Sequence, residues 1–498
     1  ADARARLAEF QQRLTLAYAD PTLNKRDRLY KTKALQDSLA AAEDAYAQVY
    51  QDLKSASPHW NDAFLSSKGS VDLRQVQRTL VPEDGLLLLY QMGTKTSHVF
   101  LVPPGRAEVE VFPLLIDENQ AAALNLPAGP LTTDVLQTLL NGDASDESQR
   151  PGLLQRFAKP DTLQAATDSI AHVLWQILVP DALRPRLLAA ENVVLIPDGG
   201  LHFLPFEALV VEPGADDSDH TFWLDVGPVI RYAPSLATLD RLAQNHSSGW
   251  AQTTTLLSLS NPTFDPQAVA AQSTTEEAPA LTAKGSARAR YANRGGTLGA
   301  LPGTARETRA IVRALGEEKS TLEVIQGVDA TEAALREALP GKRYLHLATH
   351  GLVDAQHNSL FASLVLTPPP GQTNDLANDG FLQLHEIYDL PLKDAELAVL
   401  SACQSSVGTT IEGEGVFALS RGFLTAGARR VIASQWDVND ASTASLIGAF
   451  FEAIFEDERA GRPVDFARAL RDAKRRIRQE GAWQSPFYWA PFVLIGAS

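Results

Sequence analysis

The fold is decided by two runs of sequence, Tyr344-Leu-His-Leu-Ala-Thr-His350-Gly351 and Leu397-Ala-Val-Leu-Ser-Ala-Cys403. Each has the length and the apolar composition that are typical of a buried β-strand. Each also ends on a reactive side chain, an imidazole in the first run and a thiol in the second. In an open parallel sheet, functional groups gather beyond the carboxyl ends of the strands, so we expect these side chains to face one crevice. The pattern predicts a base and a nucleophile on neighbouring strands.

The spacing of the two residues supports this interpretation. His350 precedes Cys403 by about fifty residues, as the histidine precedes the cysteine in caspases, and this leaves room for a loop and a second strand of one sheet. The string Ser401-Ala402-Cys403-Gln404-Ser405 agrees with the caspase signature at its centre and departs from it at both ends. An isolated buried cysteine is usually a small core residue. The joint placement of His350-Gly351 and Cys403 favours catalysis instead.

Several further strings resemble the CHAT family, bacterial and archaeal relatives of caspases and of separase. They are YLHLATHG (344–351), LAVLSACQSS (397–406), EGEGVFALSRGFLTAGARRVIASQWDVND (412–440), YWAPFVLIG (488–496) and NVVLIPDGGLHFLPFEAL (192–209). The resemblance covers about residues 76–498. It implies that His350 and Cys403 are the catalytic dyad of a cysteine peptidase, and that the preceding half of the domain is a degenerate companion of the catalytic half.

The residues of the dyad predict a specific chemistry. A thiol with an ordinary pKa of about 8.5 is mostly protonated at neutral pH, and the thiolate is the form that attacks. We predict that His350 takes this proton and later donates it to the leaving amine. The oxyanion that develops needs preorganised donors, for which we predict the backbone N–H groups of Gly351 and Cys403. Glycine at 351 allows the substrate carbonyl to approach the main chain.

Substrate specificity is predicted from Trp436-Asp437-Val438-Asn439-Asp440. The string is similar to the WDVTD of separase, which implies that acidic residues here receive a basic side chain of the substrate. Asp437 is our first candidate for contact with a P1 Arg or Lys, and Asp440 is the second, because a carboxylate pairs well with a guanidinium. Asp440 has a favoured alternative, as the cap of a helix that starts near Ser442. Trp436 either lines the pocket or belongs to the core.

The predicted fold class is α/β, with a caspase-like, parallel-dominated sheet and helices on both faces. We assign residues 1–70 to an N-terminal helical region, 71–250 to the non-catalytic half and 251–498 to the catalytic half, which contains a flexible loop at 265–304. Apolar residues at helical spacing predict a helical hairpin in the first region. We favour a hairpin packed on the enzyme, and the alternatives are a substrate receptor and a contact for an activating partner.

Composition limits the classes of function. The formal net charge of -16 disfavours a nucleic-acid-binding surface, because phosphate would be repelled. Cys403 is the only cysteine, so an intramolecular disulfide and a cysteine-rich zinc site are excluded and a reducing cytoplasm is favoured. No apolar stretch of about 18 residues predicts a membrane span, and the charged N-terminus lacks the apolar core of a signal peptide. We expect no cofactor, no metal and no membrane partner.

Four other features have mainly structural interpretations. A His-x-x-x-His pair such as His346 and His350 binds zinc best from a helix, and this run is predicted to be a strand. A buried hydrogen bond is therefore favoured for His346. Asp198 and His202 are better explained by Gly-Gly turn chemistry than by catalysis. The cluster Lys474, Arg475, Arg476 and Arg478 is interpreted as a solvated helix face. The 265–304 loop contains four basic residues at which self-cleavage is a hypothesis: Lys284, Arg288, Arg290 and Arg294.

Three functions therefore stay open at this point. The first is a cysteine endopeptidase that cleaves after a basic P1 residue. The second is a catalytically silent scaffold in which Cys403 is a core residue. The third is another cysteine hydrolase, such as a thioesterase or an amidase, with the same dyad.

Overall fold

The computed structural model describes residues 25–56, 72–142 except 106, 151–159, 164–214, 220–244, 254–264, 298–316, 322–352, 359–369, 378–404, 414–436 and 438–497, and the helical residues 3, 6, 7, 9, 10, 13, 14 and 17. Two compact units are present. The first contains Ala1–Gly69, Thr253–Ala305 and Thr321–Ala428, and the second contains Ser70–Gln252, Arg306–Ser320 and Arg429–Ser498.

The strands follow one another along the chain as β1 (Gly85–Gln91), β2 (His98–Val102), β3 (Glu110–Pro113), β4 (Leu115–Ile116), β5 (Gly129–Pro130), β6 (Asn192–Ile196), β7 (Val210–Glu212), β8 (Thr221–Phe222), β9 (Val229–Tyr232), β10 (Leu256–Pro262), β11 (Leu322–Gly327), β12 (Tyr344–Leu352), β13 (Ser363–Val365), β14 (Phe381–Gln383), β15 (Leu397–Gln404), β16 (Arg430–Ser434) and β17 (Phe492–Gly496).

The α-helices are α1 (Lys25–Ala56), α2 (Leu73–Thr79), α3 (Glu118–Leu124), α4 (Thr133–Asn141), α5 (Leu153–Phe157), α6 (Gln164–Leu178), α7 (Arg184–Ala189), α8 (Trp223–Val226), α9 (Leu236–Gln244), α10 (Pro302–Leu315), α11 (Glu332–Ala338), α12 (Leu384–Ile387), α13 (Glu414–Ala426), α14 (Asp440–Arg459), α15 (Phe466–Gln479) and α16 (Pro486–Trp489). Two 3₁₀ turns, Gly199–Phe203 and Phe206–Ala208, follow β6.

The first unit is built on parallel strands in the order β11, β10, β12, β15. Near its carboxyl end, β12 also pairs antiparallel with β13, which in turn pairs with β14. Every residue of β12 is buried except His350, which is partly exposed. Burial along the whole length is typical of a parallel strand that is covered on both faces. The strand therefore brings one polar side chain to the surface at its end.

The N-terminal helices pack within the first unit. Their buried residues form one cluster with two residues that precede β13: Leu7, Leu14, Ala17, Leu35, Leu39, Ala42, Leu360 and Phe361. The helical spacing of these apolar residues in the sequence predicted this face. The connection between the two helices of the predicted hairpin lies outside the described residues.

The second unit contains a mixed sheet in the order β16, β17, β9, β6, β1, β2, β3. β17, β9, β6 and β1 run parallel, and β16, β2 and β3 are antiparallel to their neighbours. The predicted sheet, parallel strands with helices between them, is confirmed. The unit boundaries differ from the predicted division at 250, because β17 pairs with β9 and α15 packs on β9, which groups 429–498 with 70–252.

Two predictions about helices need correction. The loop predicted to extend to 304 ends earlier, because α10 begins at Pro302, and proline is favoured in the first turn of a helix. Residues 265–297, including the four basic residues of the self-cleavage hypothesis, lie outside the described part of the chain. Asn439 rather than Asp440 is the cap of α14, since its side-chain oxygen accepts the N–H groups of Ala441 and Ser442.

The basic cluster on α15 is not a solvated face. Lys474 is fully buried, and its Nζ lies 3.0 Å from Oε1 of Glu207. Arg475 donates to the carbonyl oxygens of Leu224 and Asp225, and Arg478 contacts Asp225 and His220. Arg476 alone in this cluster keeps the predicted exposed position, paired with Glu452. The prediction was wrong for three of these side chains because their partners lie far away in sequence.

Candidate functional site

The two residues of the predicted dyad are register partners. β12 and β15 are adjacent and parallel, with His350 opposite Cys403 and Gly351 opposite Gln404. Neighbouring strands lie about 4.8 Å apart. The main chains of His350 and Cys403 therefore meet at the carboxyl ends of two buried strands, the position where functional groups collect in a parallel sheet.

The imidazole of His350 has a defined hydrogen-bond pattern. Its Nε2 lies 2.9 Å from the carbonyl oxygen of Gly299. A carbonyl oxygen only accepts, so Nε2 carries the proton, and in the neutral ring Nδ1 is then the acceptor. Nδ1 is buried and has no hydrogen-bond partner among the described residues. A buried polar atom without a partner costs about 1–3 kcal/mol, so such an atom in a native structure needs an explanation.

The surroundings of the ring favour its neutral form. Burial lowers the pKa of His350 below its ordinary value, and the hydrogen bond to Gly299 opposes this shift without reversing it. The ring of Phe264 packs against the imidazole, with 5.0 Å between the ring centroids. A neutral imidazole with a free acceptor nitrogen is the form that a general base requires.

An apolar wall lies beside the histidine. Leu352, Val365 and Phe381 form its buried part, and Phe264 and Leu298 pack against them while partly exposed. Val365 is the register partner of His350 on β13. The wall therefore borders the same strand end as the imidazole.

Gly351, the predicted oxyanion donor, is buried inside β12. Its register partners are Leu364 on β13 and Gln404 on β15, so the residue has a strand on each side. The backbone N–H of a residue in this position can bind a substrate only if it is not used in a hydrogen bond between the strands.

The predicted specificity residues belong to the second unit. Trp436 is 6% exposed, stacks on Phe157 with 6.2 Å between ring centroids, and donates its Nε1–H to the carbonyl oxygen of Phe487. It thus takes the core alternative. Asp440 is the exposed first residue of α14, where its charge complements the helix dipole. Asp437 lies outside the described residues.

The other candidates have structural partners. The Nδ1 of His346 lies 2.9 Å from the hydroxyl of Ser258, and both residues are completely buried. Asp198 accepts the backbone N–H of Met92, and the carbonyl of His202 accepts from Gln435. Within the described ranges, no three His, Cys, Asp or Glu residues are arranged to hold a metal ion, and no helix there has the length and hydropathy to cross a membrane.

Sequence reasoning missed Gly299, Phe264 and Leu298. The first two contact the imidazole of His350 directly, and Leu298 packs on the adjoining wall. They lie at the two ends of a segment rich in small residues, where neither apolar periodicity nor a motif marks a functional position. Only the chain path past β12 brings them to the histidine.

Comparisons with known proteins identify both a domain and its relatives. A model of the CHAT domain matches residues 168–497. Human tetratricopeptide repeat protein 28 is 28% identical over 225 residues, which are 40% of this chain and 8% of that protein. The mouse protein of the same name is 31% identical over 112 residues, which are 22% of this chain and 4% of its own length. The chain thus spans less than a tenth of these relatives.

Two solved structures are also similar in fold. The Arg-specific cysteine proteinase gingipain R has 9% sequence identity and a TM-score of 0.36, with 69% of each chain covered. The separase of the Saccharomyces cerevisiae separase–securin complex has 12% identity and a TM-score of 0.40, with 99% of this chain and 36% of that chain covered.

Proposed function

Because the chain belongs to the CHAT domain family, we propose that it is a cysteine endopeptidase in which His350 and Cys403 act as a dyad. One observation carries the proposal. The two residues are register partners at the carboxyl ends of adjacent parallel strands, and His350 is the one partly exposed residue of its strand. A base and a nucleophile placed in this way suit covalent catalysis.

The hydrogen bonds of His350 suggest how the first step proceeds. The Nε2–H bond to Gly299 fixes the ring and leaves Nδ1 as the proton acceptor. Nδ1 takes the proton of the Cys403 thiol, and the thiolate attacks the scissile carbonyl carbon. The imidazolium then protonates the leaving amine as the carbon–nitrogen bond breaks, which gives a thioester. Water, deprotonated by the same nitrogen, hydrolyses the thioester and restores the thiol.

The oxyanion formed in each step needs backbone donors. We propose the N–H groups of Cys403 and Gly351, which lie at the carboxyl ends of the adjacent strands β15 and β12. Loss of one such donor typically lowers kcat by a factor of about 100 to 1000. Ester substitution of the peptide bond that supplies the Gly351 N–H, by semisynthesis, tests this assignment directly.

We further propose specificity for Arg or Lys at P1, with Asp437 as the partner of the basic group and Asp440 as the second candidate. A carboxylate that has been desolvated for a guanidinium disfavours an apolar P1 side chain, because its charge would then stay unpaired. Asp437→Ala is expected to lose basic substrates selectively. An unchanged P1 preference in that variant would reject the assignment.

The decisive experiment compares the wild type with Cys403→Ala and His350→Gln. Each protein is incubated with a positional peptide library and with an arginyl electrophilic probe, and products and adducts are identified by mass spectrometry. The proposal expects turnover and labelling at Cys403 in the wild type and neither in the variants, whose folding is checked by circular dichroism. Turnover that persists in Cys403→Ala would exclude the dyad.

A second candidate is a catalytically silent scaffold for protein partners. It is favoured by the curated relatives, which are named for their tetratricopeptide repeats. An activating partner that binds through the N-terminal helices fits either function, because those helices pack directly on Phe361, two residues before β13. Equal silence of wild type and Cys403→Ala towards peptides, thioesters and the probe would favour the scaffold. Turnover of thioesters alone would favour another cysteine hydrolase.

We propose a cytoplasmic location for either function, because a single cysteine suits a reducing compartment. Cell fractionation with a native tag tests this expectation.

A further inference from the structure

If the dyad is catalytic, the apolar wall beside His350 borders the path of the leaving group. The group that protonates the leaving amine must lie within hydrogen-bond reach of it. In a peptide that amine belongs to P1′, the residue after the scissile bond. The side chain of P1′ therefore passes close to whatever borders the imidazole of His350.

What borders the imidazole is apolar. Phe264 packs directly against the ring, at 5.0 Å between centroids. Phe264 and Leu298 are partly exposed, and they rest on the buried residues Leu352, Val365 and Phe381. A partly exposed apolar surface on a buried apolar base is well suited to take up an apolar side chain from water.

This wall is also held in place before any ligand binds. The backbone N–H of Thr263 donates to Oγ1 of Thr367, at 2.9 Å, and lies 3.2 Å from the carbonyl oxygen of Gly327. The hydroxyl of Thr367 donates in turn to Gly327. On the other side, the carbonyl of Gly299, the residue after Leu298, is bound by His350. Both apolar side chains thus stand next to anchored backbone, which reduces the ordering cost of binding.

We propose that Phe264 and Leu298 form the S1′ subsite and select substrates with an apolar residue at P1′. The inference rests on the proposed peptidase function and concerns the leaving-group side of the scissile bond, apart from the P1 assignment to Asp437. Discrimination by an apolar pocket amounts to roughly 10- to 200-fold per methylene when the pocket is closed. For this half-open wall we expect a preference on the order of tenfold in kcat/KM for Leu over Ser at P1′.

The test uses the full chain and internally quenched peptides that differ only at P1′, with Leu, Phe, Ser or Asp at that position and the best P1 residue kept constant. Leu298→Ala is expected to reduce the Leu-to-Ser ratio of kcat/KM to near unity, and Phe264→Leu is expected to retain it. Leu298→Lys is expected to shift the preference towards Asp, because a cation then replaces the apolar surface. Val324→Ala, an exposed residue of β11 in the same unit, is the matched control and leaves the ratio unchanged.

The outcomes separate this inference from the proposed function. Cys403-dependent cleavage with no P1′ preference, or with a preference that Leu298→Ala and Leu298→Lys leave unaltered, overturns the subsite and leaves the peptidase intact. Absence of any Cys403-dependent cleavage overturns the peptidase and the subsite together. A ratio that falls in Leu298→Ala, survives in Phe264→Leu and turns towards Asp in Leu298→Lys supports the assignment.

Discussion

Replacing Lys474 by alanine is expected to destabilise the second unit by about 3–5 kcal/mol, the usual cost of removing one partner of a buried ion pair. The Lys474 and Glu207 side chains are only 1% and 10% exposed, with 3.0 Å between Nζ and Oε1. The other carboxylate oxygen, Oε2, accepts the hydroxyl of Tyr232 at 2.7 Å. Burial and the nearby Glu207 raise the pKa of Tyr232 well above its ordinary value, so this hydroxyl stays protonated and donates. Without Lys474, Oε1 of Glu207 loses the cation that pairs with it in the core.

The same helix provides a matched control. Arg476 forms an ion pair with Glu452 at 2.9 Å, and these side chains are 62% and 55% exposed. An exposed pair contributes about 0–1 kcal/mol, so Arg476→Ala is expected to change the free energy of unfolding by no more than that. The double variant Lys474→Met with Glu207→Gln removes both charges and keeps an acceptor for Tyr232. It is expected to recover most of the loss, because apolar replacement of a buried pair is often close to neutral.

Urea unfolding followed by tryptophan fluorescence measures the three variants. Trp175, Trp223 and Trp489 are fully buried in the second unit and report its unfolding. The reasoning predicts a large fall in midpoint for Lys474→Ala, a small one for Arg476→Ala and a partial or full recovery in the double variant. Equal small effects of Lys474→Ala and Arg476→Ala would mean that α15 presents a solvated basic face, and would refute the buried ion pair.

Three further predictions follow from the first unit. Burial lowers the pKa of His350, so the imidazole is deprotonated at every pH above that lowered pKa. We therefore expect kcat/KM to fall on the acid side only below about pH 6.5, the ordinary imidazole pKa. A pH profile with its acid limb at or above that value would contradict a neutral base. Burial, then Glu386 and Asp379, raises the pKa of Glu332 well above 4.5. Its stabilising contribution is present below the unfolded pKa and is lost as pH rises through the folded one. Glu332→Gln keeps the acceptor for the Gly380 N–H, so its melting temperature relative to wild type is expected to increase between about pH 5 and pH 8; parallel curves would reject this. Phe361→Ala removes a fully buried ring from the cluster under the N-terminal helices. It is expected to lower the free energy of unfolding by about 3–5 kcal/mol and to speed proteolysis of α1. The control Tyr30→Ala, at a residue that is 83% exposed, is expected to change neither.

Much of the first unit could be predicted because its patterns are local. A strand such as β12 consists mostly of residues that suit a buried strand, and this local composition is visible in the sequence. The helical spacing of Leu35, Leu39 and Ala42 marks the buried face of α1 in the same way. These patterns depend on the period of the element itself, and that period is visible in a single sequence.

Predictions failed where the partner of a residue is distant. Lys474 and Glu207 are separated by 267 positions. The sequence near Lys474 therefore does not indicate that its partner is a carboxylate in the core. The grouping of 429–498 with 70–252 depends on a similar long-range contact, the pairing of Ile495 in β17 with Tyr232 in β9. Helix periodicity identifies a face, but it does not say whether the cations on that face meet water or a buried acid.

The sequence by itself determined which segments are strands and helices, and it placed a histidine and the single cysteine at the ends of two strands. Only the tertiary structure decided that these ends are in register, that Nε2 of His350 carries the proton, and that Phe264 and Leu298 border the ring. The physical reason is that strand propensity is encoded over a few neighbouring residues, whereas a tautomer, a pKa and a binding surface depend on contacts between residues that only the folded chain brings together.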